Sequence, residues 1–115
     1  MKGVEVIPLR RFEDERGWFV ELRRESGLPK ATKQTNISFS RKGVIRGLHY
    51  HERGQDDLFV CLEGRARVVV LDRETGATFV EDIGDDVLQR CATRGSFHAI
   101  AFSSGSDGSY SSVTW

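Results

Sequence analysis

The stretch from residue 56 to residue 76 restricts the possible folds more than any other part of the chain. It contains two apolar runs, DDLFVCLEG and RARVVVLDRETG, that are rich in β-branched and aromatic residues. Such runs, bounded by turn-forming residues, are typical of core strands. The short Glu63-Gly64 connection predicts that the two strands form a hairpin, and ETG at residues 74–76 predicts the next turn.

The rest of the chain also indicates strands. Candidates are GVEVIPLRRF, WFVELRR, ATFVEDIGDD and KQTNISFS, and in the last of these apolar and polar residues alternate from residue 35 to residue 40. This period of two predicts a strand with two chemically different faces. Trp18 is expected in the core, with a partner subunit as the alternative. No convincing amphipathic helix is visible, so the pattern favours an all-β sandwich or barrel.

Length and composition narrow the class of protein. The chain has 115 residues, enough for one domain spanning 1–115, and 17 basic residues balance 17 acidic ones. A net charge of zero offers no electrostatic argument for a nucleic acid or an anionic membrane as partner. No apolar run approaches the roughly 20 residues of a membrane helix, and the start lacks a signal-peptide core. We expect a cytoplasmic protein in which Cys61 is a buried free thiol.

The last part of the sequence differs from the rest. Residues 102–112, FSSGSDGSYSS, are dominated by serine and glycine, which is typical of a flexible linker. A strand-like VTW follows and ends the sequence. We therefore interpret residues 87–115 as an atypical end of the domain, truncated or altered.

Residues 43–51, GVIRGLHYH, contain two of the three histidines. In an extended segment His49 and His51 point to the same side, whereas Arg46 has the opposite parity and needs a bend near Gly47 to join them. Three interpretations remain open on spacing alone. The histidines lie on a surface edge strand, they bind a metal, or His49 acts as an acid–base catalyst. Further metal ligands would be Gln55, Asp56 or Asp57, together with His98 from a later strand.

Three blocks in this order resemble one known family. DERGWFVE at 14–21, QTNIS at 34–38 and GVIRGLHYH at 43–51 are similar to the motifs of the dTDP-4-dehydrorhamnose 3,5-epimerase family, and the resemblance covers residues 3–86. It implies an all-β cupin-like jelly-roll barrel, a nucleotide-sugar substrate and a homodimer. It calls for no cofactor.

The resemblance also implies roles for individual residues. His49 would remove a proton next to the keto group of the sugar, and Tyr110 would be the acid that returns one. Arg46 would bind the diphosphate or help fix the catalytic base. The other implied substrate-binding residues are Arg16 at the diphosphate, Glu21 at the thymine ring, Gln34 and Asn36 in the sugar pocket, and His98 in the segment aligned with the family's A-H-G-F motif.

The sequence departs from the family pattern at several positions. His51 replaces a common glutamine, and Asp57 replaces a lysine thought to stabilise the enolate, a role that a carboxylate would oppose. Tyr110 matches the catalytic tyrosine only with a one-residue shift. The family's later segment carries an aspartate that pairs with the catalytic histidine, and no carboxylate in this sequence can be assigned to His49.

These observations predict an epimerase for a nucleotide-linked 4-keto-6-deoxy sugar of the dTDP-4-dehydro-6-deoxyglucose type, in deoxysugar or rhamnose biosynthesis. Two alternatives stay open. The first is a non-catalytic remnant that still binds sugar nucleotides. The second is a metal-dependent cupin that uses His49, His51 and His98.

Overall fold

The structure is a computed structural model that describes residues 1–22, 24, 34–52 and 54–84, together with three later strands. For those later strands we describe the backbone and, in addition, the burial of Cys91. Within these parts of the chain, no helix is long and apolar enough to cross a membrane.

The described residues form eleven strands. They are β1 (Val4–Pro8), β2 (Arg11–Asp14), β3 (Gly17–Val20), β4 (Thr35–Arg41), β5 (Ile45–His49), β6 (Asp57–Glu63), β7 (Arg65–Asp72), β8 (Thr78–Gly84), β9 (Gln89–Thr93), β10 (His98–Ser104) and β11 (Gly108–Thr114).

The strands are arranged in two main sheets, and each assigned strand pair is antiparallel. One sheet has the order β1-β9-β6-β11-β4 and the other the order β5-β10-β7-β8, while β2 and β3 form a separate hairpin. The predicted all-β class is confirmed.

The hydrophobic core lies between the two main sheets. Its buried members come from β6 and β9 in one sheet and from β7 and β8 in the other: Phe59, Cys61, Ala66, Val68, Val70, Ile83 and Cys91. They occupy alternate positions along β6 and β7, because successive side chains of a strand point to opposite faces. Burial of each large apolar side chain contributes about 1.5–3 kcal/mol.

The predicted hairpin of β6 and β7 is wrong. The two strands follow each other through Gly64, yet they belong to different sheets. A tight hairpin usually needs a loop of two residues, and here only Gly64, with a φ of 84°, separates the strands. The short link instead carries the chain across the core from one sheet to the other.

The predicted turn at residues 74–76 is confirmed, and it closes a hairpin between β7 and β8. Leu71 lies opposite Thr78 in the register, and the backbone N–H of Asp72 donates to the carbonyl of Ala77 over 2.9 Å. The Asp72 carboxylate accepts from the backbone N–H of Glu74 at 2.9 Å. This is the local bond by which aspartate favours turns.

The serine-rich end does not form a linker over its described residues. His98–Ser104 and Gly108–Thr114 are strands, and the second of these lies between β6 and β4 in the five-stranded sheet. Serine and glycine have low intrinsic strand propensity, but pairing with two neighbouring strands overrides it. The linker interpretation is therefore wrong for these residues.

The β4 strand presents its apolar residues to the outside. Ile37 is 66% exposed and Phe39 is 44% exposed, whereas Ser40 is only 7% exposed. The sequence correctly predicts two different faces, but the polar face is the inner one. Trp18 is 54% exposed, with the Arg11 guanidinium stacked 4.6 Å from its ring, so the expectation of a core position is wrong.

Candidate active site

A bulge in β5 brings Arg46 and His49 to the same face of the sheet. His49 lies opposite Ile100 of β10, and Arg46 lies opposite Phe102, so three steps along β5 match two along β10. Such a bulge reverses the side-chain parity on the longer strand. The bend that the sequence requires near Gly47 is thus present.

The face that carries Arg46 and His49 is the inner one. Across the next strand pair, Ile100 lies opposite Val70 and Phe102 opposite Val68. Both valines are fully buried in the core, and directly opposite residues in an antiparallel sheet share a face. Arg46 and His49 therefore lie in the two cross-strand rows that contain these core valines.

Arg46 connects the two main sheets. Its Nε donates to Ser40 Oγ over 2.7 Å, and its Nη2 donates to the backbone carbonyl of Phe39 over 2.8 Å. Arg46 belongs to β5 and both acceptors belong to β4, the last strand of the opposite sheet. Ser40 is buried, so the arginine reaches inward from the edge of its own sheet.

The polar inner face of β4 continues with two predicted sugar-pocket residues. Gln34 Nε2 donates to Asn36 Oδ1 over 3.2 Å, which places the two amides on one side of the chain as the alternation predicts. Asn36 has the same parity as the buried Ser40. Gln34 and Asn36 thus lie on the side of β4 that also carries Ser40, the partner of Arg46, and their contact with a sugar stays a prediction.

His49 ends β5 and is exposed. Among the side chains that the structure describes, no carboxylate lies within ion-pair distance of its imidazole. The ring is accessible to a molecule from solvent.

His51, two residues later, does have a carboxylate partner. Its Nε2 lies 2.8 Å from Oδ2 of Asp57, and Gln55 Nε2 donates to the other carboxylate oxygen over 2.9 Å. Asp57 is 5% exposed and shares its parity on β6 with Phe59 and Cys61, which are core residues. A carboxylate buried in this position needs such partners, because burial of an unpaired charge is costly.

The contact between His51 and Asp57 was not predicted from the sequence, although the position of Asp57 at the start of an apolar strand points to such a contact. The sequence suggests Asp57 only as a metal ligand or as the residue that replaces a lysine. It begins an apolar strand and falls on the same face as Phe59 and Cys61. An acid on the core side of a strand indicates a hydrogen-bond partner nearby, and His51 and Gln55 are polar residues within six positions of Asp57 in the sequence.

The described side chains contain no group of three metal-ligating residues close enough to hold an ion. The metal interpretation also requires His98, whose side chain lies outside the described part. The backbone of His98 begins β10, two residues before Ile100, which lies opposite His49.

Tyr110 lies on β11 opposite Phe39 of β4 and Glu63 of β6, and its role as an acid stays a prediction.

Arg16 and Glu21 each pair with a neighbour in sequence and are not joined to this polar surface by any described hydrogen bond. Arg16 donates from Nε to both oxygens of Asp14 over 3.2 Å, which holds the pKa of the Asp14 carboxyl below its ordinary value. Arg24 donates twice to Glu21 over 2.8 Å and lowers the pKa of Glu21. Both pairs are exposed, so a charged ligand could displace them at modest cost.

A family model described as dTDP-4-dehydrorhamnose 3,5-epimerase matches residues 1–95. The chain belongs to this family. The chain is 40% identical over 90 residues to the spore coat polysaccharide biosynthesis protein SpsL of Bacillus subtilis. The aligned region covers 73% of this chain and 59% of that protein.

Solved structures of family members confirm the jelly-roll fold. The chain superposes on dTDP-4-dehydrorhamnose 3,5-epimerase from Elizabethkingia anophelis with a TM-score of 0.83 and 31% identity, over 98% of this chain and 68% of that one. For the 3,5-epimerase from Legionella pneumophila in complex with dTDP-4-keto-L-rhamnose, the TM-score is 0.88 and the identity 25%, over 99% and 66% of the two chains. The chain spans about half the length of the curated relatives it matches, between 42% and 59%.

Proposed function

We propose that this chain is an epimerase for a nucleotide-linked 4-keto-6-deoxy sugar, in a pathway that makes deoxysugars such as rhamnose. The observation that carries the proposal is the β5 bulge, which puts Arg46 and His49 of the family motif on the inner face. The Legionella relative was solved with dTDP-4-keto-L-rhamnose, a molecule of the same chemical class.

The chemistry requires a base beside a carbon that is next to a ketone. Removal of that proton leaves an enolate, whose negative charge must be stabilised where it develops. His49 is accessible, and an imidazole can both accept and release a proton. We assign it as the base, with Tyr110 as the acid that delivers a proton to the carbon.

Arg46 suits the binding of the diphosphate or the placement of the base. Two of its donors are already used by Ser40 and Phe39, which restricts the side chain to one orientation. An arginine has five donors in a planar fork, so several remain for phosphate oxygens. We assign the polar inner face of β4, with Gln34 and Asn36, to the sugar.

The proposal is tested by deuterium exchange. The purified protein is incubated in deuterated water with dTDP-4-keto-6-deoxyglucose, and deuterium is followed by mass spectrometry and NMR at the carbons that flank the ketone. We expect incorporation by the natural chain and a loss of about 100-fold or more in His49→Gln.

Tyr50→Phe is the matched control, because Tyr50 lies next to His49 in sequence and is 48% exposed. It should exchange like the natural chain. Tight binding of dTDP without any deuterium exchange would contradict the epimerase proposal and favour a non-catalytic remnant that binds sugar nucleotides. Stoichiometric metal in the purified protein that is lost in His51→Ala would favour a metal-dependent cupin.

We also propose a homodimer in the cytoplasm. The outer face of β4 exposes Ile37 and Phe39, and the β2–β3 hairpin exposes Trp18 and Phe19. Exposed apolar side chains of this number are typical of an interaction surface. Cys61 and Cys91 are both buried and are not joined by a disulfide, which suits a reducing compartment. Sedimentation equilibrium should give twice the chain mass, and Ile37→Asp should shift the equilibrium to the monomer.

A further inference from the structure

His51 is the imidazole that the described structure supplies with a carboxylate. Asp57 is 5% exposed, and one of its oxygens lies 2.8 Å from His51 Nε2. The other oxygen accepts from Gln55 over 2.9 Å. The His51 side chain keeps 27% of its surface exposed, whereas that of Asp57 keeps 4%. One end of the imidazole is thus anchored in the core while part of the ring reaches solvent.

This arrangement determines which ring nitrogen can act on another molecule. Because Nε2 is engaged with Asp57, Nδ1 is the nitrogen left for a substrate. The carboxylate also stabilises the ring when it carries a positive charge, as in other aspartate–histidine pairs. Gln55 holds the second oxygen, so the carboxylate itself is kept in one orientation.

The pair also lies at the right place in the fold. His51 lies two positions after the last residue of β5, and Asp57 is the first residue of β6, in the opposite sheet. Asp57 shares the inner face of β6 with core residues, and His49 shares the inner face of its own sheet. One residue, Tyr50, separates His49 from His51, so the two histidines lie next to each other along the chain at the end of β5.

We propose that His51 is a second catalytic residue, which donates a proton from Nδ1 to the ketone oxygen while His49 removes the proton from the neighbouring carbon. Asp57 is its positioning residue. The proposal rests on the epimerase function and adds the group that neutralises the enolate. On this proposal the contact between His51 and Asp57 serves the reaction and is not simply a structural link between the two sheets.

The proton transfers balance. The carbon–hydrogen bond breaks, its proton goes to His49, and its electron pair forms the carbon–carbon double bond of an enol. The ketone oxygen gains the proton from His51 Nδ1, which leaves His51 neutral. On return, the enol gives that proton back to His51, and an acid delivers a proton to the carbon. No oxidant, reductant or metal enters the sequence.

The test uses His51→Gln and Asp57→Asn in the full chain with dTDP-4-keto-6-deoxyglucose in deuterated water. Glutamine can still hydrogen-bond to Asp57 but cannot transfer a proton. We expect the exchange rate at saturating substrate to fall by about 100-fold in His51→Gln and by roughly 10-fold in Asp57→Asn. The dissociation constant of dTDP and the circular dichroism spectrum should stay those of the natural chain.

Asp82→Asn is the matched control, because Asp82 is an exposed partner of Arg67 on the far strand of the other sheet. Exchange by His51→Gln within about threefold of the natural rate would overturn the role of His51 and leave the epimerase function intact. A natural chain that binds the sugar nucleotide but exchanges no deuterium would overturn both.

A second measurement does not depend on the variants being folded. In the natural chain labelled with ¹⁵N-histidine, addition of dTDP-4-keto-6-deoxyglucose should shift the Nδ1 resonance of His51. The Nε2 resonance, held by Asp57, should move much less. An Nδ1 resonance that does not respond to the saturating sugar nucleotide would contradict direct contact with the substrate and overturn the proposal.

Discussion

The β6–β7 region and the β4–β5 region are built from strands of similar length, yet they use their two faces in opposite ways. In β6 and β7 the inner face is apolar, with Phe59, Cys61, Val68 and Val70 in one cluster. In β4 and β5 the inner face carries Ser40, Arg46 and His49, while Ile37 and Ile45 are 66% and 72% exposed. The first region stabilises the fold, and the second leaves polar groups that we propose to bind the ligand and apolar groups that we propose to contact a second chain.

The comparison extends to two aspartates. Asp57 is buried and bound by His51 and Gln55, whereas Asp82 is exposed and bound twice by Arg67 over 2.7 and 2.8 Å. The hydrogen bonds between Arg67 and Asp82 have the better geometry, because the guanidinium donates to both carboxylate oxygens. Burial decides how much stability is lost when a hydrogen-bond partner is removed, because water replaces the lost partner only at an exposed site.

Removal of a core side chain should have the largest effect on stability. Ile83 is 1% exposed and belongs to the core cluster. Ile83→Ala should lower the free energy of unfolding by about 2–5 kcal/mol, because it removes buried contacts and leaves a cavity. Val80→Ala, on the exposed side of the same strand, should change it by less than about 0.5 kcal/mol. Urea denaturation measures both, and equal losses would contradict the assignment of the inner face.

Removal of the buried carboxylate should come next. Asp57→Ala should lower the free energy of unfolding by about 2–4 kcal/mol, because His51 and Gln55 lose their acceptor in a buried site. Asp82→Ala should have a much smaller effect, since both members of its pair are exposed. Chemical denaturation of the two variants compares them directly. A larger loss of unfolding free energy in Asp82→Ala than in Asp57→Ala would contradict the conclusion that burial makes the Asp57 contacts the more stabilising ones.

The core should also be sensitive to alkaline pH through Cys91. Burial, with a smaller contribution from Glu81, raises the pKa of the Cys91 thiol from 9.0 to about 11. The folded state therefore keeps a proton that the unfolded state loses, and stability is fully present below pH 9 and falls as the pH rises toward 11. The loss due to this thiol should be about 2–3 kcal/mol.

The measurement for Cys91 is the free energy of unfolding between pH 8 and pH 11 in the natural chain and in Cys91→Ala. The variant lacks the thiol, so the difference between the two curves isolates its contribution from other groups that titrate there. Parallel curves would show that the thiol is not held in its neutral form by the core.

The smallest effect is expected at the exposed pair of Arg67 and Asp82. The Arg67 guanidinium, more than the desolvation that opposes it, holds the pKa of the Asp82 carboxyl below its ordinary value. The pair's contribution is thus present at neutral pH and is lost as the pH falls through the folded pKa. Asp82→Asn should flatten the acid side of the stability curve slightly, and added salt should reduce the difference from the natural chain.

Much of the fold could be predicted from local patterns. The apolar runs of β6 and β7, the alternation of β4 and the turn before β8 each follow from a few neighbouring residues. The predicted hairpin of β6 and β7 failed because β6 pairs with β9 and β11, which lie far away in sequence, while β7 pairs with β8 and β10. The serine-rich strand β11 was missed for the same reason, since its partners stabilise it more than its composition suggests.

For the candidate site, the motif identified the segment that contains Arg46 and His49, and parity correctly required a bend between them. The bulge itself depends on the register with β10. The contact of His51 with Asp57 was not predicted, because it joins the end of one sheet to the start of a strand in the other.

The sequence by itself determined the strand-rich class, the epimerase family and the segment that holds the histidines, because periodicity, turn residues and ordered motifs are local properties. Only the tertiary structure decided which sheet each strand joins, which face of β4 turns inward and which histidine has a carboxylate. Those outcomes depend on contacts between residues that are distant in the chain, and on the burial of side chains between the two main sheets.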